Sequence, residues 1–138
     1  MTQIQWLAVL GASLCVYGVA GSSDAWSRNV APGNVVNGEA VYSRCLACHA
    51  LAYDRTGPRH CGLFGRQAGS IPGYAYSQAM KESKIIWDDD TLNLFLADPM
   101  HVVPGTSMGY AGIPDKQERA DLIAYLKKEN NSAACLVR

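Results

Sequence analysis

Two cysteines and a histidine stand together in "SRCLACH", residues 43–49, with two residues between the thiols and the imidazole directly after the second. Three chemistries use such a pair. A thioredoxin-like redox centre belongs in a βαβ setting, and no segment around it alternates like a strand. A zinc site wants a second ligand pair at similar spacing, whereas Cys61 and Cys135 are isolated. Covalent haem attachment has the signature C-x-x-C-H itself. On one helical turn Cys45 and Cys48 present their sulfurs to one side, where each can add to a haem vinyl group. His49 is then held against the ring face with a nitrogen for the iron. Cys and His are too scarce for this spacing to be read as an accident on a core helix.

Whether the iron is closed by a further ligand or left open separates a carrier from a catalyst. The candidates are Met80, Met100, Met108, His60 and His101. His60 follows His49 too closely for the opposite face and reads as a loop histidine. Met80 sits at the helical spacing of a core filler, and Met100 follows Pro99 at a helix end. Met108 lies in "VVPGTSMGYAGIP", a loop stiffened by Pro104 and Gly105 and closed by Pro114. Such a loop can lay one side chain across a ring, but spacing alone leaves Met108 divided between iron ligand and buried packing.

The elements that must position these residues are helical. "GEAVYSRCLAC" carries apolar residues at helical spacing from Gly38 to Cys48. Residues 50–76 hold too much glycine and proline for a regular element and read as ordered turns. "WDDDTLNLFLADP" predicts a helix with Asp88 as N-cap, Asp89 and Asp90 in its first turn and Pro99 as its stop. "DKQERADLIAYLKKEN" predicts another, with Asp115 and Glu118 at capping-box spacing and Lys127 and Lys128 at the negative pole. The expected class is all-α with long loops.

Of 138 residues, 12 are Lys or Arg and 12 are Asp or Glu, so formal charge is zero and nothing points to nucleic acid. Residues 1–22 carry no charged side chain, and their apolar run is shorter than a spanning helix needs. Small residues follow it, as at a signal-peptidase site, so a secretory signal peptide is expected; a retained membrane anchor is the alternative, because no Lys or Arg precedes the run. Residues 23–37 read as linker and lead-in loop, 38–130 as the domain and 131–138 as a tail. A domain under 100 residues is small for a self-sufficient apolar core, and the haem would fill its centre.

"CLACH", "TGPRHCGLFGR", "PGYAYSQAM", "W" at 87, "TLNLFLADP", "VVPGTSMGYAGI" and "ERADLIAYLKK" occur in the order and spacing of the class I c-type cytochromes, which this chain resembles over residues 38–128. The resemblance implies that family's fold, an α-helical envelope around one covalently bound haem c, with Gly38 and Tyr42 meeting Leu122 and Tyr125 where the terminal helices cross. It implies Met108 as the second axial ligand and Pro58 as the residue whose carbonyl orients His49. It places Arg66, Tyr76, Trp87 and Thr106 at the haem propionates. Phe95 and Met80 depart from the family's common tyrosine and asparagine, which implies a drier, less hydrogen-bonded Met108 side. Met100, His101, Ser107 and Asp115 stand where mitochondrial members carry lysines, leaving Arg44 among few cations. The resemblance therefore implies a partner surface less acidic than a mitochondrial one.

In that family's fold the loop after Pro58 lies near the C-terminus, and an exported protein meets an oxidising compartment, so a Cys61–Cys135 disulfide is expected. The implied function is one-electron transfer without catalysis, in the periplasm. Its partners would be a quinol-cytochrome c reductase, a terminal oxidase, a photosynthetic reaction centre or a periplasmic dehydrogenase. A monomer is expected. The rival readings are an open-site haem protein, whether peroxidase or gas sensor, and a membrane-anchored carrier.

Overall fold

The computed structural model describes residues 30–136; the expected signal peptide and residues 23–29 of the expected linker lie outside the described residues. Helix α1 (Val35–Tyr42) starts where the Asn34 side chain accepts the amide N–H groups of Val36 and Asn37. The helix expected to run through Cys48 instead tightens to a 3₁₀ turn at Ser43–Cys45. The Ser43 hydroxyl donates to the Ala40 carbonyl, a local bond that competes with helix propagation. Beyond it the Cys45 carbonyl accepts from the amides of both Cys48 and His49, which folds the motif back on itself.

Helix α2 (Gln78–Glu82) is capped by Ser77 and is too short to leave a periodic signal in the sequence. Helix α3 (Asp89–Ala97) opens with a reciprocal cap: Asp88 accepts the Thr91 amide at 2.8 Å, and the Thr91 hydroxyl accepts the Asp88 amide at 2.9 Å. Pro99 does more than stop this helix. It opens α4 (Pro99–Val102), a position where a missing N–H costs nothing. Helix α5 (Lys116–Glu129) is capped by Asp115, which accepts the Glu118 amide at 2.8 Å. The Glu118 carboxylate does not complete the expected box. It pairs with Arg44 at 2.5 Å and so ties α5 to the turn that holds the cysteines. A last turn, α6 (Ala133–Leu136), ends the described chain. Among the described residues there is no strand, only one antiparallel bridge between Gln67 and Ile86.

Helix α1 packs chiefly on α5. A Cβ on Gly38 would overlap the Asp121 carbonyl oxygen and the Tyr125 Cβ, so only glycine allows this approach. Asp121, itself buried, accepts the Asn34 amide at 2.8 Å and thereby docks the start of α1 on α5. One turn on, the Tyr42 and Tyr125 rings lie 5.1 Å apart. Leu122 on α5 and Ile113 in the loop before it are almost wholly buried; truncating either to alanine would cost roughly 2–5 kcal/mol. No helix among the described residues is long and apolar enough to cross a membrane.

Candidate functional site

The crossing, α3 and the long loops enclose a cavity of about 420 Å³. Its walls are mostly aliphatic and aromatic, with Leu63, Leu92, Phe95, Leu96 and Ile113 among them. Cys45, Cys48, His49 and Met108 all line it. The thiols of Cys45 and Cys48 are free; Cys45 is half-buried, and exposed Cys48 marks where the cavity meets the surface. Burial raises the Cys45 thiol against an opposing pull from Arg44.

His49 is held by backbone. Its Nδ1 lies 2.7 Å from the Pro58 carbonyl oxygen, which can only accept, so Nδ1 carries the proton and Nε2 keeps the lone pair. Burial lowers the imidazole pKa, and the Pro58 bond only partly opposes this, so the ring is in the neutral form that binds metals. Gly57 lies against the ring so closely that a Cβ there would run into it.

The Met108 side is built differently. The Met108 amide donates to the Thr106 hydroxyl at 3.2 Å and the Thr106 amide to the Val103 carbonyl at 2.9 Å. The loop's far end is pinned to α3 by the Ile113 amide on the Leu96 carbonyl at 2.8 Å. Phe95 and Met80 are both buried, line the cavity and bring no hydroxyl or amide side chain to it. Of the other candidates, His60 lines the cavity but belongs to the His49 side, while Met100 and His101 are exposed and do not line it.

Arg66, Tyr76, Trp87 and Thr106 also reach the cavity wall. The half-buried Arg66 guanidinium donates to the carbonyls of Cys61 and Arg59 at 2.8 and 3.0 Å, and burial lowers its pKa. Sequence reasoning missed three contributors. Gly57 was hidden in the glycine-rich run, although its place directly before Pro58 was a signal. Tyr74, two residues before Tyr76, lines the wall, donates to the Thr56 carbonyl and meets the Tyr76 ring at 4.6 Å. His60, expected as a plain loop histidine, does lie in a loop but turns inward and stacks on His49 with ring centroids 4.4 Å apart.

Cys61 and Cys135 are joined as a disulfide with their Cα atoms 5.4 Å apart. Beside it, Asn130 at the end of α5 accepts the Gly62 amide through its carbonyl and the Phe64 amide through its side chain, both at 2.9 Å. The loop carrying Pro58 is thus fastened by hydrogen bonds to the end of α5 and by the disulfide to α6.

These residues fit a haem c. A flat apolar ring suits the walls, a thiol pair suits its vinyl groups, and a neutral imidazole and a thioether suit iron. Arg66, Tyr74, Tyr76 and Trp87 are polar groups able to meet two carboxylates that would be costly to bury alone. No cluster of His, Cys, Asp and Glu among the described residues would hold a bare metal ion.

The Cytochrome c family model matches residues 35–129. Among similar proteins, a cytochrome c of Sesamum indicum is 46% identical over 101 residues, covering 70% of this chain and 91% of that protein. A cytochrome c2 of Blastochloris viridis is 43% identical over 110 residues, covering 75% and 87%. The solved structure of cytochrome cH from Methylobacterium extorquens matches with a TM-score of 0.68 at 42% identity, covering 70% of this chain and 99% of that one.

Proposed function

Because the chain belongs to the cytochrome c family, we propose that it carries single electrons between protein partners with its iron held by His49 and Met108. The cofactor is one covalently attached haem c, which supplies the one-electron couple. Cys45 and Cys48 are its thioether anchors. The observation that carries this reading is the convergence of both thiols, His49 and Met108 on one apolar cavity.

Each residue has a separable task. Pro58 fixes which nitrogen of His49 faces the iron. Met108 offers a neutral sulfur, a ligand that favours the reduced metal, and the apolar walls push the same way by keeping water off. Arg66, Tyr76, Trp87 and Thr106 receive the propionates. Both ligands sit on loops anchored to helices, so neither needs to move when the charge on the metal changes.

The open-site rival needs a base facing the iron opposite His49. His60 stacks on His49 itself, and His101 is exposed on α4, so neither supports that role. A visible and near-infrared spectrum in both oxidation states tests the point. A methionine-sulfur charge-transfer band in the oxidised protein, with no carbon monoxide uptake on reduction, is the expected result. Rapid carbon monoxide binding would replace this reading with the rival.

We read the chain as exported to the periplasm by residues 1–22 and working as a monomer. N-terminal sequencing of protein purified from its host should begin near residues 21–24; a start at Met1 would mean a tethered carrier. The partners are redox proteins of respiratory, photosynthetic or dehydrogenase systems. Arg44 at the cavity rim is already neutralised by Glu118, and Met100 beside His101 is exposed, so docking should depend little on charge. Electron-transfer rates nearly flat in ionic strength are expected, and a steep fall with salt would remove that inference.

A further inference from the structure

We infer that His60 is a positioning residue for the axial imidazole: its ring, stacked on His49 and tethered to Tyr42, sets the plane in which His49 meets the iron. The inference rests on the proposed His49 ligation.

The Pro58 bond fixes the direction of Nδ1 but not the plane of the ring. Hydrogen bonds to a carbonyl oxygen tolerate a broad range of angles, and the last torsion of a histidine side chain is soft. A second flat ring 4.4 Å away and tilted by 20° removes much of that freedom, because swinging one ring drives its edge into the other.

His60 can serve as such a plate only if it is itself immobile, and three attachments make it so. Its amide N–H reaches the carbonyls of Ala50 and Leu51, both at 3.1 Å. Its Nδ1 lies 3.2 Å from the Tyr42 hydroxyl. Its neighbour Cys61 is bonded to Cys135. Tyr42 is in turn buried in the helix crossing and packed on Tyr125. The bond gives both the tyrosine hydroxyl and His60 Nδ1 a partner in the core. A continuous chain of ring contacts therefore runs from Tyr125 on α5 through Tyr42, which meets His60 edge-on, to the stacked pair of His60 and His49. It couples the angle of the ligand to the α1–α5 packing.

Plain core filling is the competing account, since an aliphatic residue could occupy the same space. The two differ in what they do to oxidised iron. The plane of an axial imidazole, together with the direction of the methionine lone pair, sets which iron d orbital is raised, and so how unpaired spin spreads over the four haem methyl groups. Bulk alone does not.

The test compares oxidised holoprotein of wild type, His60→Leu, His60→Phe and Tyr42→Phe by proton NMR of the haem methyls. Phe keeps a flat face and Leu does not. The expected result is a reordered or compressed spread of methyl shifts in His60→Leu, a near wild-type pattern in His60→Phe, and a smaller change in Tyr42→Phe, where the plate loses its tether. A His60→Leu pattern equal to wild type, with only the melting temperature lowered, overturns the inference. So does a His60→Phe pattern displaced as far as that of His60→Leu. Wild-type protein lacking the methionine-sulfur band would overturn the Met108 assignment without touching the His49 ligation on which this inference rests, whereas an intact band with unmoved methyls sinks this inference alone.

Discussion

The two walls of the cavity hold their iron ligands by opposite means. On the His49 side nearly every restraint is polar or covalent: the Pro58 carbonyl, the Tyr42–His60 bond, the amides of Gly62 and Phe64 on Asn130, and the disulfide. On the Met108 side the loop is held by the Thr106 hydroxyl and a few backbone bonds, and Met108 is partly buried against an apolar cluster that includes Phe95, Met80 and Leu96. The contrast follows from the ligands. An imidazole has a second nitrogen that must be satisfied and that sets its tautomer, so it needs directional partners. A thioether is a weak acceptor and needs only to be kept in place.

The comparison can be broken most severely from the packed side. Met108→Ala should abolish the sulfur charge-transfer band and let carbon monoxide bind the reduced protein, since the proposed ligation leaves Met80, the other thioether on that wall, as packing. A retained band would mean that another methionine serves, and Met80 would be the one to examine.

The braced side should lose stability before it loses ligation. Replacing Cys61 and Cys135 together by serine opens a link across 74 residues of sequence and should lower unfolding free energy by about 2–4 kcal/mol. The sulfur band should persist, because Pro58 and Asn130 still hold the loop. Denaturant unfolding of the holoprotein measures the loss, and an unchanged midpoint would show that the tail contributes nothing.

Phe95→Tyr asks how dry the Met108 side is. Phe95 is 5% exposed and lies 5.1 Å from the Trp87 ring, so a hydroxyl added there without a partner should cost about 1 kcal/mol. Equal stability of the two proteins would mean that the hydroxyl finds water or the methionine sulfur, and the wall is wetter than its residues suggest.

The smallest effect lies at the start of α3, which carries Phe95. The Thr91 amide and hydroxyl hold the Asp88 carboxyl below its ordinary pKa. A depressed folded-state value contributes stability above the ordinary carboxylate range, lost as pH falls through the depressed value. Asp88→Asn keeps the cap but not the charge, so it should trail wild type by a few tenths of a kcal/mol at neutral pH and match it in acid. Melting temperatures against pH would show the two curves converging; parallel curves would exclude the charge as the cause.

Local chemistry was legible in the sequence wherever one stretch of chain contains both halves of an interaction. The Asp88 and Asp115 caps are examples, as is the spacing of Cys45, Cys48 and His49, because partners three or four residues apart meet in any helical turn. Legibility failed where a local signal had a distant competitor. Glu118 had capping-box spacing, yet its carboxylate goes to Arg44, 74 residues away in sequence. Short α2 and α4 left too few turns for a period to emerge.

By itself the sequence determined an all-α chain with a haem-attachment motif, and through its resemblance to a family it nominated Met108, Pro58 and the groups around the propionates. Only the tertiary structure decided that His60 turns inward onto His49, that Gly57 lies against the same ring, and that Asn130 fastens the Pro58 loop to α5. Those relations join segments whose separation along the chain carries no code for their distance in space. They exist only once Gly38 has let α1 settle onto α5 and the crossing has fixed where every loop must land.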